Sequence, residues 1–127
     1  PSVAFLSFST DGSGAGKSVE KIRESLEIMH RDFPEFISDG EFQLDAAIDP
    51  MVAKAKVKRD SEVAGQANVL VFPSLDSANI GVKILQRFAR AHVVGHLISG
   101  LKMPVSDSSR GAKLDEMTAD VALLLLS

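Results

Sequence analysis

The sequence predicts an α/β fold in which a mainly parallel sheet is covered by helices. Short apolar runs of strand length alternate along the 127 residues with stretches of about 10 to 15 residues that show helical spacing. Such alternation typically gives parallel strands, because each helix carries the chain back to the edge of the sheet from which it started. With 45% hydrophobic residues and no internal repeat or linker, the chain is predicted to form one domain, or one piece of a domain, with a real core.

The first predicted elements are a buried strand and a long helix. Residues 3–8 form a short apolar run, and a loop of glycines and hydroxyl side chains follows it. Apolar residues then recur at helical spacing over residues 17–31, and Pro34 stands just beyond their end.

The next predicted elements are a short strand and a helix that contains a proline. The pair Asp39 and Gly40 is typical of a turn, and residues 41–44 follow it as a strand. Residues 46–57 are predicted to be helical with Pro50 near the start, where a missing amide hydrogen is tolerated.

Two further strands and two helices complete the prediction. Residues 68–72 form the clearest strand, residues 80–89 the next helix, and residues 92–98 another strand. The helix at 80–89 is predicted to turn four apolar side chains inward, namely Ile80, Ile84, Leu85 and Phe88. The final helix has an apolar stripe that comprises Leu114, Met117, Val121 and Leu124.

Composition narrows the function classes. The net charge of −3 gives no basic face, so nucleic acid is not an expected partner. The absence of cysteine excludes a disulfide framework, a thiolate metal site and a cysteine nucleophile, and it fits a reducing compartment. No apolar run approaches the roughly 20 residues that span a bilayer, and the amino end lacks a signal-peptide pattern. We therefore expect a soluble cytoplasmic protein that binds neither nucleic acid nor membrane.

The loop at residues 11–18 is a candidate phosphate-binding loop, because it is rich in glycine and lies between a strand and a helix. The nucleotide-binding spacing requires a glycine five positions before the glycine of Gly-Lys-Ser, and Asp11 stands there instead. A carboxylate at that position would repel phosphates, and residues 68–72 run into Pro73 rather than into an aspartate that could hold magnesium. A flexible turn or a weaker anion contact is favoured, and a nucleotide hydrolase or kinase is an alternative.

The histidines do not form a metal motif. His92 and His96 share one face of the predicted strand, but no third ligand stands near them in sequence. Ordinary hydrogen-bonded histidines are therefore expected.

The stretch at residues 104–116, PVSDSSRGAKLDE, carries the strongest candidate site. It joins an apolar strand to the final helix and places two hydroxyls beside Arg110, ahead of Gly111, which would let the backbone turn tightly. Residues 106–111 are predicted to lie at the carboxyl end of their strand, and two carboxylates follow on the helix. Free backbone N–H groups and the helix dipole at such a position favour an anionic ligand. An ordinary N-cap with a surface arginine is the alternative for this stretch alone.

Four blocks of the sequence match one known family in order and spacing. They are VAFLSFSTDGSGAG at residues 3–16, DGEFQLDAAI at 39–48, VAGQANVLVFPSLDSANIG at 63–81 and VVGHLISGLKMPVSDSSRGA at 93–112. Together they resemble the carboxy-terminal part of phosphotransacetylases, the phosphate acetyl/butyryltransferases. Because the family's chains are much longer, the resemblance identifies residues 1–127 as a carboxy-terminal domain without the amino-terminal half.

The resemblance implies an enzyme that moves an acetyl or other short acyl group between coenzyme A and phosphate. The implied partners are coenzyme A or acyl-CoA and phosphate or acyl phosphate, with coenzyme A as a substrate and no cofactor or metal. The implied fold is a three-layer α/β/α arrangement like that of isocitrate and isopropylmalate dehydrogenases, with the active site in a cleft between two domains. A homodimer is expected, and the apolar face of the final helix should be partly uncovered or covered by a second copy.

The resemblance also assigns roles to residues of this chain. It implies Ser109, Arg110 and Glu116 as catalytic residues, the last at a position where the family usually has aspartate. It implies three substrate-binding residues, namely Ser108, Gly111 and Asn79. An arginine suits a phosphate or a developing oxyanion, since it donates two parallel hydrogen bonds. A carboxylate could take the thiol proton, and a serine could hydrogen-bond the thiol or the carbonyl.

The sequence departs from the family's usual pattern at five positions near the loop. These are Ala78, His96, Ser99, Met103 and Ser106. The departures leave the acyl group open. The alternative is a non-catalytic acyl-CoA-binding regulatory domain, like those attached to some malic enzymes. Such domains tend to lose the Ser-Arg-Gly motif, so its retention favours the enzyme.

Overall fold

The computed structural model describes residues 1–126, which form two compact units. The first unit is Pro1–Ala78, and the second begins at Asn79. The elements in chain order are β1 (Ser2–Leu6), α1 (Lys17–Asp32), β2 (Ile37–Phe42), α2 (Leu44–Ile48), α3 (Pro50–Lys56), β3 (Val69–Val71), α4 (Leu75–Phe88), β4 (Leu97–Ile98), β5 (Val105–Ser106) and α5 (Leu114–Leu126). No helix within residues 1–126 combines the length and the apolar character needed to cross a membrane.

The first unit contains a parallel three-stranded sheet, as the alternation of strands and helices predicts. The strand order is β2-β1-β3, and β1 runs parallel to both neighbours. Side chains of β1 alternate between two buried clusters, with Ala4 and Leu6 in one and Val3 and Phe5 in the other. A strand that is buried on both faces explains why the sequence is continuously apolar here.

Helices cover both faces of this sheet. On one face, α1 adds Ile22 and Leu26 to the cluster that contains Val3 and Phe5. On the other face, α2 and the residues after α3 build a larger cluster that comprises Ala4, Leu6, Phe42, Ala46, Ala47, Val57 and Val63. The predicted α/β class with a mainly parallel sheet is therefore confirmed. The closer likeness to isocitrate dehydrogenase stays a prediction.

The predicted turn at Asp39 and Gly40 is wrong, because both residues lie inside β2 and pair with β1. The Asp39 carboxylate accepts two hydrogen bonds from the Arg59 guanidinium and a third from the Ser61 hydroxyl. These donors lie some twenty residues away in sequence. A polar pair that normally marks a turn is thus accommodated in a strand by partners that local propensity does not reveal.

The helix predicted over residues 46–57 is two helices. α2 ends at Ile48, and Asp49 then caps α3 by accepting hydrogen bonds from the backbone N–H groups of Met51 and Val52. Pro50 occupies the first position of α3, where its fixed φ suits the helix and it needs no N–H donor. The proline starts a new helix here instead of lying inside one.

The second unit contains α4 from Asn79 onward, a two-stranded antiparallel ribbon of β4 and β5, and α5. The strand predicted over residues 92–98 is confined to Leu97–Ile98. Gly95 adopts a left-handed φ of +91°, which breaks the extended run before β4. Because the strand is lost there, His92 and His96 do not share a strand face as predicted.

The apolar side chains predicted to point inward from residues 80–89 are exposed. Their exposed fractions are 59% for Ile80, 51% for Ile84, 52% for Leu85 and 87% for Phe88. Among residues 79–126 the only buried residue is Asp120, so this unit has no apolar core to receive them. On α5, Met117, Val121 and Leu125 are also exposed, which agrees with the expectation of a partly uncovered face.

Gly65 is predicted to be intolerant of any side chain. Its φ is +80°, and an added Cβ would lie 2.7 Å from the Cα of Pro50 and 3.0 Å from the Cβ of Ala53. Gly65→Ala should therefore lower the free energy of unfolding by roughly 2 to 4 kcal/mol, through backbone strain and overpacking. Gly12→Ala is the matched control, since Gly12 has a φ of +85° with no atom within 4 Å of an added Cβ. Urea unfolding of both variants separates the two contributions, and equal losses would contradict the overpacking argument.

Candidate active site

The predicted site lies on the segment between β5 and α5. β5 ends at Ser106 and α5 begins at Leu114, so the loop follows a strand and precedes a helix as predicted. The strand belongs to the antiparallel ribbon and not to the parallel sheet. The loop closes a turn in which the backbone N–H of Ala112 donates to the carbonyl of Ser109 at 2.9 Å. Gly111 has no left-handed φ and open space around it, so this turn does not require glycine.

Arg110 and Ser109 retain their hydrogen-bond donors. Both side chains are exposed, and within residues 1–126 no hydrogen bond or ion pair uses the Arg110 guanidinium. The Ser109 Oγ accepts a long hydrogen bond of 3.5 Å from the Gly111 backbone N–H, which leaves its own hydroxyl hydrogen available. The loop therefore presents a cation and a hydroxyl donor side by side at the start of a helix, where a ligand with negative charge is favoured.

Glu116 is engaged on both carboxylate oxygens. Oε2 accepts from the backbone N–H of Lys113 at 2.8 Å, which is the helix-capping contact of a glutamate in the first turn. Oε1 accepts from the Gln86 side-chain amide at 3.2 Å. Each carboxylate oxygen has a second lone pair, so Glu116 can still accept from a ligand.

A buried carboxylate that sequence reasoning missed lies beneath the loop. Asp120 on α5 is 4% exposed, and its Oδ2 accepts from the Ser108 hydroxyl at 2.7 Å. Its Oδ1 accepts from the backbone N–H of Gly95 at 2.6 Å. These hydrogen bonds, the one from Ser108 first, hold the pKa of the Asp120 carboxyl below its usual range, although burial acts in the opposite sense. A sequence signal existed, because an aspartate precedes the apolar run at the end of the last helix.

Two cavities adjoin the loop. A small one of about 20 Å³ is lined by His96, Ser109, Glu116 and Asp120 among others. A larger one of about 300 Å³ is lined by Gly111, by four basic side chains, which are Arg87, Arg90, His92 and Lys113, and by the carboxylates of Asp115 and Glu116. The structure thus gathers Ser109, Glu116 and Asp120 at one cavity and puts a cavity with side chains of both charges beside Gly111.

Asn79 is not brought to this site by any contact. It is exposed in the first half of α4, and within residues 1–126 no hydrogen bond joins it to the loop. His96 contacts the loop through Nδ1, which lies 3.0 Å from the carbonyl oxygen of Asp107. His96 is thus an ordinary hydrogen-bonded histidine, as expected.

Backbone N–H groups of the glycine loop in the first unit already donate hydrogen bonds to acceptors within the protein. The backbone N–H of Gly12 donates to the Glu41 carboxylate at 3.0 Å, and that of Gly14 donates to the Ser9 hydroxyl at 2.8 Å. The same carboxylate accepts from Ser9 and from two nitrogens of Arg23. A carboxylate of the protein thus already uses the amide that a bound phosphate would need, which argues against a nucleotide site.

Glu41 should make the stability of the chain depend on acid pH. The Arg23 guanidinium, with help from Ser9 and Gly12, lowers the pKa of this 4% exposed carboxyl from 4.5 to about 2. A depressed folded-state pKa gives a stabilisation that is complete above about pH 5 and is lost as the pH falls toward 2.

Glu41→Gln is therefore expected to cost about 2 kcal/mol of unfolding free energy at pH 7 and far less near pH 2. Urea unfolding across this pH range measures the difference. Asp32→Asn, which removes the exposed pair with Arg31, is the control and should change little. A loss for Glu41→Gln that is the same at both pH values would contradict the ion-pair argument.

Comparison with known proteins supplies the family. The family model described as Phosphate acetyl/butaryl transferase matches residues 1–125. The phosphate acetyltransferase of Clostridium acetobutylicum is 47% identical over 126 residues, which cover 99% of this chain and 38% of that protein. The phosphate acetyltransferase of Bacillus subtilis is 49% identical over 117 residues, covering 92% of this chain and 36% of that protein.

A solved structure agrees with these relatives. The crystal structure of a phosphotransacetylase from Streptococcus pyogenes superimposes with a TM-score of 0.89 at 44% identity, covering 100% of this chain and 40% of that one. The chain therefore spans less than half the length of the relatives that it matches. The match over nearly every residue of this chain confirms the resemblance carried by the four sequence blocks, and the chain belongs to the phosphate acetyl/butyryl transferase family.

Proposed function

We propose that this chain is part of an enzyme that transfers an acetyl or other short acyl group between coenzyme A and phosphate. The observation that carries the proposal is the loop after β5, where the Arg110 guanidinium and the Ser109 hydroxyl stand exposed with their donors unused. Family membership gives this loop its chemical context. The enzyme works in the cytoplasm as a homodimer, and the exposed apolar side chains of α4 and α5 are the surface that assembly would cover.

The reaction begins when the thiol sulfur of coenzyme A attacks the carbonyl carbon of acetyl phosphate. The new C–S bond forms as the carbonyl oxygen takes up negative charge, and the bond between carbon and the bridging oxygen then breaks to release phosphate. Arg110 donates two hydrogen bonds to the phosphate group or to the oxyanion, and Ser109 donates its hydroxyl hydrogen to the same charge. Both groups act at full strength only when water is excluded from the site.

The thiol of coenzyme A must lose its proton during the reaction, and we assign the role of proton acceptor to the Glu116 carboxylate. Its two oxygens accept from Lys113 and Gln86, so the carboxylate is held in one orientation at the edge of both cavities. A lone pair remains on each oxygen for the thiol hydrogen. The basic side chains of the larger cavity, Arg87, Arg90 and Lys113, would bind the phosphate groups of coenzyme A, and their three positive charges exceed the two negative charges of Asp115 and Glu116 in the same lining.

The alternative function is acyl-CoA binding without catalysis. The engagement of both Glu116 oxygens favours it, because each oxygen already accepts a hydrogen bond from the chain and has only one lone pair left for a thiol hydrogen. Both functions require the loop to bind an anion.

The binding step is tested by nuclear magnetic resonance titration of the isotope-labelled chain. Acetyl phosphate and coenzyme A should each shift the amide signals of residues 107–113, and Arg110→Ala should remove the response. Magnesium ATP is the control ligand for the glycine loop and should leave residues 11–16 unchanged. Responses confined to the glycine loop would contradict the proposal and favour a nucleotide-binding protein. Binding of acyl-CoA without turnover in a longer enzyme would favour the regulatory alternative.

A further inference from the structure

We propose that Asp120 is a positioning residue, which fixes the loop carrying Ser109 and Arg110 by holding Ser108 and Gly95. The inference rests on the proposed function of that loop. It also assigns Ser108 to the support of the site, although the family resemblance implies a substrate-binding role for this residue.

Asp120 is a buried charged group in a part of the chain where little else is buried. Asp120 is 4% exposed and is the only buried residue among residues 79–126. Burial of a carboxylate is unfavourable unless hydrogen bonds compensate for the lost water. Its partners lie at 2.6 and 2.7 Å, which are the short distances of hydrogen bonds to a charged acceptor.

Asp120 also connects separate segments of the second unit. Gly95 precedes β4, Ser108 lies in the loop after β5, and Asp120 lies in the second turn of α5. One side chain therefore joins three segments that are otherwise separate in the chain. Gly95 has a left-handed φ of +91°, so its backbone is not extended like the strands of the ribbon. Its N–H donates to the Asp120 carboxylate, which gives this backbone group the hydrogen-bond partner it needs.

The side-chain donors of the loop differ in whether the chain already uses them. The hydroxyl hydrogen of Ser108 is committed to Asp120, so this hydroxyl has no hydrogen left to donate to an anion. The next two residues, Ser109 and Arg110, keep their donors. The loop thus has one residue that anchors it and two that remain available to a ligand.

A role for Asp120 as a proton acceptor is disfavoured. The hydrogen bonds from Ser108 and Gly95 hold its pKa below the usual range, so it stays ionised and takes up a proton poorly near neutral pH. The titratable and charged groups that line the small cavity with it are Lys83 on α4, His96 before β4 and Glu116 on α5. Asp120 therefore acts through the geometry of the loop.

The test uses the chain with three variants and a control. Asp120→Leu removes both hydrogen bonds, Asp120→Asn keeps the shape and one acceptor oxygen, and Ser108→Ala removes the loop contact alone. The control is Thr118→Val, which lies on α5 and is exposed, and its hydroxyl donates to the Leu114 carbonyl of the same helix. Acetyl phosphate is the probe.

Two quantities are measured for each variant. Hydrogen exchange at the Gly95 amide should accelerate at least tenfold in Asp120→Leu and less in Asp120→Asn, with no change in Thr118→Val. The dissociation constant for acetyl phosphate, read from the Arg110 and Ser109 signals, should rise roughly tenfold in Asp120→Leu and in Ser108→Ala, with partial rescue in Asp120→Asn. Combining Ser108→Ala with Asp120→Leu should add nothing further, because the two residues act through one contact.

The outcomes separate the two proposals. If the unaltered chain binds acetyl phosphate through Arg110 and Ser108→Ala binds it equally well, the positioning role is overturned while the proposed function stands. If the unaltered chain shows no binding at the loop, the proposed function is overturned and this inference with it. Because Ser108 is a half-buried loop residue, Ser108→Ala decides the question even if Asp120→Leu does not fold.

Discussion

The 127-residue chain on its own is expected to give no measurable acyl transfer between acetyl phosphate and coenzyme A. Fixing a thiol and an acyl phosphate at attack distance requires groups on both sides of the reactants and the exclusion of water. The loop after β5 is exposed on its own unit, with Arg110 and Ser109 open to solvent. Loss of positioning should cost several kcal/mol of rate, on the order of a thousandfold or more.

A hybrid enzyme provides the comparison. In it the chain replaces the matching segment of the Clostridium acetobutylicum phosphate acetyltransferase, which covers 38% of that protein. The hybrid should form thioester from acetyl phosphate and, as a probe of the acyl group, from butyryl phosphate. The chain is purified free of host enzyme for the parallel assay. Full turnover by the chain alone, abolished by Arg110→Ala, would show that the site is complete within these residues.

Arg110→Lys in the hybrid is expected to lower kcat/KM by about thirtyfold or more. Lysine keeps the positive charge but loses the fork that pairs with two oxygens at once, which costs on the order of 2 kcal/mol of transition-state stabilisation. The guanidinium has no partner within residues 1–126, so the change should act on the ligand rather than on the fold.

Arg31→Lys serves as the matched control, because Arg31 is an exposed arginine paired only with its neighbour Asp32. Its kcat/KM should stay within twofold of the unaltered hybrid. Unchanged turnover in Arg110→Lys would show that the arginine does not contact the reacting groups. A rise in KM with kcat unchanged would show that Arg110 binds substrate and transition state equally well.

The parts of the fold that the sequence predicted are those determined by local pattern. The continuous apolar run of β1 and the apolar stripe of α1 each belong to an element buried against the other, so pattern and burial agree. The parallel sheet followed from the order of such elements. The split between α2 and α3 was not predicted, although its signal is local, since Asp49 followed by Pro50 is an N-cap and a first helical residue.

The parts that failed depend on contacts between distant residues. Asp39 stays in β2 because Arg59 and Ser61 reach it from another segment. The extended run at residues 92–98 breaks where the Gly95 N–H bonds to Asp120, which is 25 positions away. Apolar residues at helical spacing in α4 predicted a buried face, yet periodicity alone does not say whether a core exists on that side.

The residues of the candidate site also fall into those that the sequence predicted and one that it did not. Ser109, Arg110 and Glu116 were named through a family motif, and the structure places all three on the segment from β5 into α5. Their catalytic roles stay a prediction. Asp120 was missed because no motif contains it, and its hydrogen bonds to Gly95 and Ser108 appear only in the structure.

The distribution of buried apolar side chains determines which positions of the chain tolerate amino-acid substitution. Every buried apolar side chain of residues 1–126 lies between Val3 and Val63, whereas the loop with Arg110 belongs to the second unit. Substitutions at exposed positions usually change stability by no more than about 0.5 kcal/mol. His96, Ser99 and Met103, three of the departures from the family's pattern, are all exposed. Replacements at these exposed positions change the surface of the second unit and leave the buried side chains of the first unit in place, so the two units can vary at different rates.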